Sequence, residues 1–324
     1  MDFRILSLLV IVLLTFSSCE DLDFEENGVL VPLTVTEDVS LPSISIDGVL
    51  LHSETFGNPA DPMLLVIHGG PGADYRSLLK YKQLANDSMY VVFYDQRGSG
   101  LSQRIDASEY TNVQVFIDEL DGVINHYRQQ NDQKIILAGH SWGAMLATGY
   151  IDQNPSTIAG VILTEPGGFI WDQTIDYIER SRKLKLFDEL VNDFVYQDQI
   201  ITGADHNTLD YKMGLSTAGN ETTGDVDLVP FWRYGSICNM ASIDLAINNP
   251  EQMDFTTNLS AYNKKVLFAY SELNSAYGLE HAELVSAAYP NVQLIEIMGS
   301  GHEMPQFGWS NLYPEIKTYL NEIL

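Results

Sequence analysis

Residues 134–151 read KIILAGHSWGAMLATGYI. The apolar run Ile135-Ile136-Leu137-Ala138 has the length and composition of a buried strand. Ala144-Met145-Leu146-Ala147 is a good helix-forming run. Between them stands Gly139-His140-Ser141-Trp142-Gly143, a G-x-S-x-G pattern. That spacing predicts a tight strand-to-helix turn that lifts the serine oxygen clear of the backbone. A side chain at either glycine would collide with the neighbouring strand or helix. Ser141 then sits at a helix start, where unpaired N–H groups and the helix dipole favour developing negative charge. The same pattern also arises in ordinary loops, so its flanks and two upstream motifs matter.

Met63 to Ile67 is a short apolar strand running into His68-Gly69-Gly70-Pro71-Gly72. Such a glycine-rich turn leaves backbone N–H groups exposed, able to hold an oxyanion. Tyr90 to Tyr94 is another strand, followed by Asp95-Gln96-Arg97-Gly98-Ser99-Gly100-Leu101-Ser102. HGGPG, DQRGSGLS and GHSWG, in that order at strand ends, resemble the α/β-hydrolase fold. More narrowly, they resemble the prolyl aminopeptidase-like serine peptidases, over about Gly48 to Glu165. The resemblance implies a mostly parallel central sheet with a helical cap inserted after the sixth strand. It implies Ser141 as nucleophile and the N–H groups of Gly70 and Trp142 as the oxyanion hole. It gives Asp95 and Arg97 a bracing role rather than a catalytic one.

The remaining pattern fits that outline. Ser43 to Phe56 reads as a hairpin turning at Asp47-Gly48. Asn112 to Gln130 has helical spacing, and Ala159 to Thr164 is the next strand, ending at Glu165. From Phe169 to about Asn263 the strand rhythm stops. Ile175 to Gln199 suggests one or two amphipathic helices, and residues 203–229 are polar and glycine-rich. The aromatic cluster Phe231-Trp232-Arg233-Tyr234 reads as cap core, with Trp232 or Tyr234 as candidate pocket walls. Val266 to Tyr270 and Val292 to Ile297 resume the sheet around a helix at Leu279 to Tyr289, and Trp309 to Leu324 closes the chain. The expected division is a signal peptide at 1–18, an acidic tether at 19–40, hydrolase core at 41–168 and 264–324, and a helical cap at 169–263.

A serine needs a base to become a nucleophile, and a carboxylate behind an imidazole stabilises the charged ring. His302 lies in the glycine-rich turn Gly299-Ser300-Gly301-His302-Glu303, after the last strand, where this fold keeps its base. His68 reads as structural, His140 as pointing away from the nucleophile, and His281 as solvated. No histidine or acidic cluster has metal-ligand spacing, so neither a metal nor a cofactor is expected.

The acid is where the chain departs from the family. The usual aspartate follows the strand Val266–Tyr270, and here Asn274 takes its place within Ser271-Glu272-Leu273-Asn274. Glu165 is the preferred substitute, because some α/β hydrolases place their acid at the end of the preceding strand. Glu272 is the alternative.

Composition narrows the partners. The 324 residues carry a formal net charge of −27, which argues against nucleic acid or an anionic membrane surface as a partner. Ile5 to Phe16 is apolar but too short to span a bilayer. Ser17, Ser18 and Cys19 follow, resembling a lipoprotein signal with Cys19 as the lipidated residue; an ordinary secretory signal cut nearby is the alternative. The lipoprotein reading implies export and a lipid anchor, in the outer membrane or at the cell surface of a Gram-negative bacterium. The first expectation is an aminopeptidase releasing N-terminal, proline-type residues from small peptides. The rivals are a carboxylic-ester hydrolase or lactonase using the same serine, and a non-catalytic ligand-binding lipoprotein, which Asn274 alone supports.

Overall fold

The computed structural model describes residues 29–181, 205–216, 221–225 and 227–324. The signal segment and Cys19 lie outside them, as does most of the expected helical stretch beyond Ser181. Eight strands form the sheet: β1 (Ser43–Ile46), β2 (Val49–Phe56), β3 (Met63–Ile67), β4 (Tyr90–Tyr94), β5 (Ile135–His140), β6 (Gly160–Thr164), β7 (Val266–Ser271) and β8 (Val292–Ile297). Their order is β1-β2-β4-β3-β5-β6-β7-β8. The β1–β2 and β2–β4 pairs are antiparallel and all others parallel.

β3 to β7 are buried at every residue. That is why they read as continuous apolar runs: both faces of a parallel sheet are covered. Side chains alternate between two cores. Leu65, Ile67, Leu137 and Leu163 meet the helices α1 (Gln114–Tyr127) and α2 (Trp142–Gln153). Leu64, Val66, Ile136 and Ile162 meet the opposite layer. That layer is a 3₁₀ helix over Tyr75–Asp87 and the last helix, Trp309–Ile323.

Between β6 and β7 the described elements are helical: α3 (Trp171–Ser181), α4 (His206–Ser216) and α5 (Ser236–Asn248), with short 3₁₀ turns. α6 (Gly278–Ser286) joins β7 to β8, α7 (Met304–Phe307) follows the last turn, and Trp309–Ile323 is α8. α4 falls in the stretch read as polar and glycine-rich. α5 shows no amphipathic signal because Ile237, Met240, Ala241, Ile243 and Leu245 leave little polar face.

One expectation needs correction. Residues 31–38 fall in the expected tether but pack on the body. Val31, Thr34 and Val35 are buried, and Val35 N donates to Leu101 O at 2.8 Å. Their anchor is a buried charge cluster. Arg104 Nε and Arg233 Nε both donate to Asp210 Oδ2, at 2.8 and 2.7 Å. Arg233 reaches on to Pro32 O at 2.9 Å and Asn207 Oδ1 at 2.7 Å. Asp210 Oδ1 accepts Ser236 N at 2.9 Å. Removing one member of such a group strands a buried charge, typically at a cost of about 3–5 kcal/mol. The cluster therefore fastens the cap helix α4 to the loop after β4 and to the N-terminal segment.

Parallel strands end on one edge, and ligands of open α/β sheets bind beyond that edge. HGGPG follows β3, Ser141 follows β5, Glu165 follows β6, Asn274 follows β7 and His302 follows β8.

Candidate active site

The turn between β5 and α2 is strained where the G-x-S-x-G pattern predicts. Ser141 has φ 52° and ψ −121°, a conformation side chains rarely adopt. A Cβ on Gly143 would lie 2.1 Å from Ile67 O, and one on Gly139 would lie 2.5 Å from Gly143 O. Helix and strand therefore approach only because both positions are glycine. Ser141 N donates to Thr164 O at 2.9 Å, and Ser141 O accepts Ala144 N at 3.0 Å.

Gly70, with φ 116°, holds the HGGPG turn open beside it. Trp142 opens α2, and a first-turn N–H has no acceptor within its own helix. Gln96 braces both turns. Its N donates to His68 Nε2 at 2.9 Å, its Nε2 donates to His68 O at 2.8 Å, and its Oε1 accepts Trp142 Nε1 at 3.0 Å. Asp95 accepts Tyr75 N, Leu101 N and His52 Nδ1, and Arg97 Nε pairs with Glu119 Oε2 at 2.9 Å. Neither faces the serine's chemistry.

Glu165, buried and itself at φ 42°, reaches His302: Oε2 lies 2.7 Å from Nδ1. Its other contacts are all donors. Ser271 N and Oγ donate to Oε1 at 2.7 and 2.6 Å, and Asn274 Nδ2 donates to Oε2 at 2.9 Å. Asn274 thus holds the carboxylate and leaves the ring to it. Glu272 turns elsewhere, accepting Gly299 N at 2.8 Å. Tyr177 Oη stands 3.3 Å from the same His302 nitrogen and accepts Asn274 Nδ2 at 3.1 Å. No motif or spacing in the chain points to Tyr177.

Two further histidines are fixed by packing. His140 is buried, and its ring centroid lies 4.7 Å from that of His302, because the loop after β8 crosses the end of β5. His281 is buried rather than solvated. Its Nε2 meets Gly167 O at 2.8 Å and its Nδ1 meets Arg180 Nη2 at 2.9 Å.

With this geometry in view, comparison with known proteins places the chain. Residues 58–215 match the serine aminopeptidase S33 family, Hydrolase_4. A proline iminopeptidase of Heyndrickxia coagulans is 36% identical over 125 residues, which cover 38% of this chain and 40% of that protein. The chain has the α/β-hydrolase fold, and the stretch carrying its motifs is similar to serine aminopeptidases of the proline iminopeptidase type. Matches of this kind span half or less of the relatives' own length. Two solved structures share the fold. A bromoperoxidase from Bacillus anthracis has TM-score 0.61 at 18% identity, covering 84% of this chain and 96% of that one. A proline iminopeptidase-related protein from Thermus thermophilus has TM-score 0.58 at 16% identity, covering 87% and 97%.

Within this fold, a cavity of about 120 Å³ opens beside Ser141. Gly70 and Trp142 border it, Met145 floors it, and Trp171, Tyr177, Ile178 and Ile243 of the cap wall it. None of the described lining residues is charged. Trp232 and Tyr234 are not among them. Trp232 packs edge-on to Tyr75, with centroids 5.0 Å apart, and Tyr234 Oη donates to Pro71 O at 3.2 Å.

Electrostatics favour an ion pair. Burial would lower the His302 pKa, but the hydrogen bond and charge of Glu165, with Glu303 and Asp225 nearby, outweigh it and raise the ring to about 9. Burial would raise Glu165, and the hydrogen bond and charge of His302 instead hold it below the ordinary carboxylate value.

Proposed function

We propose that the chain is a serine hydrolase working through an acyl-enzyme on Ser141, and that it releases N-terminal residues from short peptides. The observation that carries this reading is the 2.7 Å Glu165–His302 contact on the strand edge that also bears the strained Ser141. In the proposed reaction, His302 takes the Ser141 proton as the oxygen attacks a carbonyl carbon. The tetrahedral oxyanion falls between the N–H groups of Gly70 and Trp142, and Glu165 stabilises the imidazolium. His302 then protonates the leaving amine, and water attacks the acyl-enzyme by the same route.

The peptide preference rests on the likeness to proline iminopeptidases. The uncharged cavity favours a second reading, a carboxylic-ester hydrolase or lactonase. A peptide's free amine needs a carboxylate partner. Of the cap acids, Asp225 is already engaged by Glu303 N and Thr223 Oγ1, at 3.1 and 3.0 Å. Aminoacyl anilides, prolyl anilide included, should be compared with p-nitrophenyl esters, alongside fluorophosphonate labelling mapped by mass spectrometry. Faster turnover of anilides with label on Ser141 supports the peptidase. Turnover of esters alone moves the assignment to the second reading. No label at Ser141 removes the hydrolase and leaves a binding lipoprotein.

The same reading includes a lipid anchor on Cys19, on the strength of the Ser18-Cys19 pair after an apolar run. A Cys19→Ser chain should leave the membrane fraction; retention there would remove the anchor.

A further inference from the structure

Beyond β5, the structure gathers three groups that the proposed hydrolysis does not use together. One donor atom from each of His140, His302 and Glu303 lies within 4.8 Å of the other two. His140 is 3% exposed, yet its Nε2 has no hydrogen-bond partner. Glu303 Oε2 is likewise buried without a well-formed hydrogen bond, the Ser77 hydroxyl being the group near its carboxylate. Glu303 Oε1 stands 3.5 Å from His140 Nε2, at the outer limit for a hydrogen bond. Buried polar atoms are rarely left in this state, and each such atom calls for a ligand or another physical account.

Both rings are held as metal-bound imidazoles are. His140 Nδ1 is 3.0 Å from Thr164 Oγ1, and that hydroxyl gives its own hydrogen to Gly139 O at 3.2 Å. The His140 proton therefore sits on Nδ1, and Nε2 presents a lone pair to the cluster. His302 Nδ1 is taken by Glu165, so its free nitrogen is also Nε2. A hydroxyl or carboxylate behind each ring fixes the tautomer and strengthens the ring as a donor. One of the three separations also fits. Two ligands each about 2.0–2.2 Å from a tetrahedral ion stand about 3.4 Å apart. The His140–Glu303 separation of 3.5 Å already has that value.

We propose that His140, His302 and Glu303 form an inhibitory site for a divalent transition ion of the zinc type, which silences the enzyme by occupying the His302 nitrogen that must deprotonate Ser141. Two imidazoles and one carboxylate suit zinc, cobalt, nickel or copper; magnesium and calcium prefer oxygen ligands throughout. Three protein ligands leave a fourth position for water. Where His302 is protonated, binding the ion releases one proton to solvent. Sequence spacing missed the site because His140 and His302 come from different strand ends, and only the sheet order brings them together.

The test uses the metal-stripped full chain. Zinc chloride is titrated calorimetrically, and cobalt(II) is followed by its visible absorption. The expected result is one ion per chain in the wild type. Binding should be at least about tenfold weaker in Glu303→Gln and in His140→Asn, since loss of even a group behind a ligand commonly costs about 10–100-fold. Unchanged circular dichroism shows that the variants fold, and Glu303→Gln, the more exposed site, covers the case where His140→Asn does not. Fluorophosphonate labelling of Ser141 should slow in proportion to zinc occupancy and recover with EDTA. No saturable zinc in the wild type, equal affinity in a folded variant, or labelling indifferent to bound zinc overturns the proposal. Absence of labelling in metal-free protein counts against the hydrolase reading instead, and the ion titration then judges the site on its own.

Discussion

Glu165→Gln is expected to lower kcat by about four orders of magnitude, the scale seen when a serine protease loses the charge behind its histidine. Two effects combine. The amide cannot stabilise the imidazolium, and the one acceptor its NH₂ could find, the Nδ1 of a neutral ring, fixes His302 in the wrong tautomer. Every contact of the native carboxylate is a donor: Ser271 N and Oγ on one oxygen, Asn274 Nδ2 and His302 Nδ1 on the other. Whichever way the amide turns, a donor meets a donor, and His302 is no longer held in its working tautomer. Glu272→Gln is the control. Its carboxylate accepts Gly299 N on an exposed loop, so kcat should be unchanged. Steady-state kinetics on the best substrate, with thermal melts to verify folding, decide the matter. A loss below about tenfold for Glu165→Gln would strip that residue of its role in the reaction.

The pH profile should be displaced toward alkali. With His302 raised to about 9, the neutral ring that can accept a proton is the minority form at neutral pH. In chelator-treated enzyme, kcat/KM should rise about tenfold per pH unit and level off above about 9, leaving the rate at pH 7 about 100-fold below its plateau. Stability should move the opposite way. The His302 contribution is complete below 6.5, the ordinary histidine value, and is lost as pH climbs through about 9. Glu303→Gln removes one of the nearby negative charges and should bring the kinetic midpoint down. A wild-type midpoint at or below 6.5 would contradict the arrangement of carboxylates around the ring.

Much of this architecture can be read from the chain alone, for a definite reason. Buried parallel strands are near-continuous apolar runs, so β3 and β4 appear in the sequence with the bounds seen in the structure. The elbow is legible because two of its glycines are forced by contacts under 3 Å. What stays hidden depends on partners far along the chain. Glu165 and Glu272 are both candidates on paper, and only the parallel pairing of β6 with β7 puts Ser271 beside the Glu165 carboxylate. His281 reads as a solvated helix residue because Arg180 and Gly167, which bury and bond it, lie about a hundred positions earlier. α5 stays hidden because its apolar residues are spread around the helix, with Leu245 buried and Ile247 exposed, so no polar stripe announces it.

The carboxylate behind His302 has two possible addresses in this architecture, the ends of two adjoining strands. Since β6 and β7 run side by side, one neighbour's breadth separates them, and a glutamate covers the span that an aspartate need not. Occupying the earlier address changes what the later one must supply. Asn274 offers the N–H that steadies Glu165, a duty no aspartate could perform there. Asparagine at that position is thus half of an exchange rather than a residue lost, and an Asn274→Asp change would set two anions against each other in a dry site.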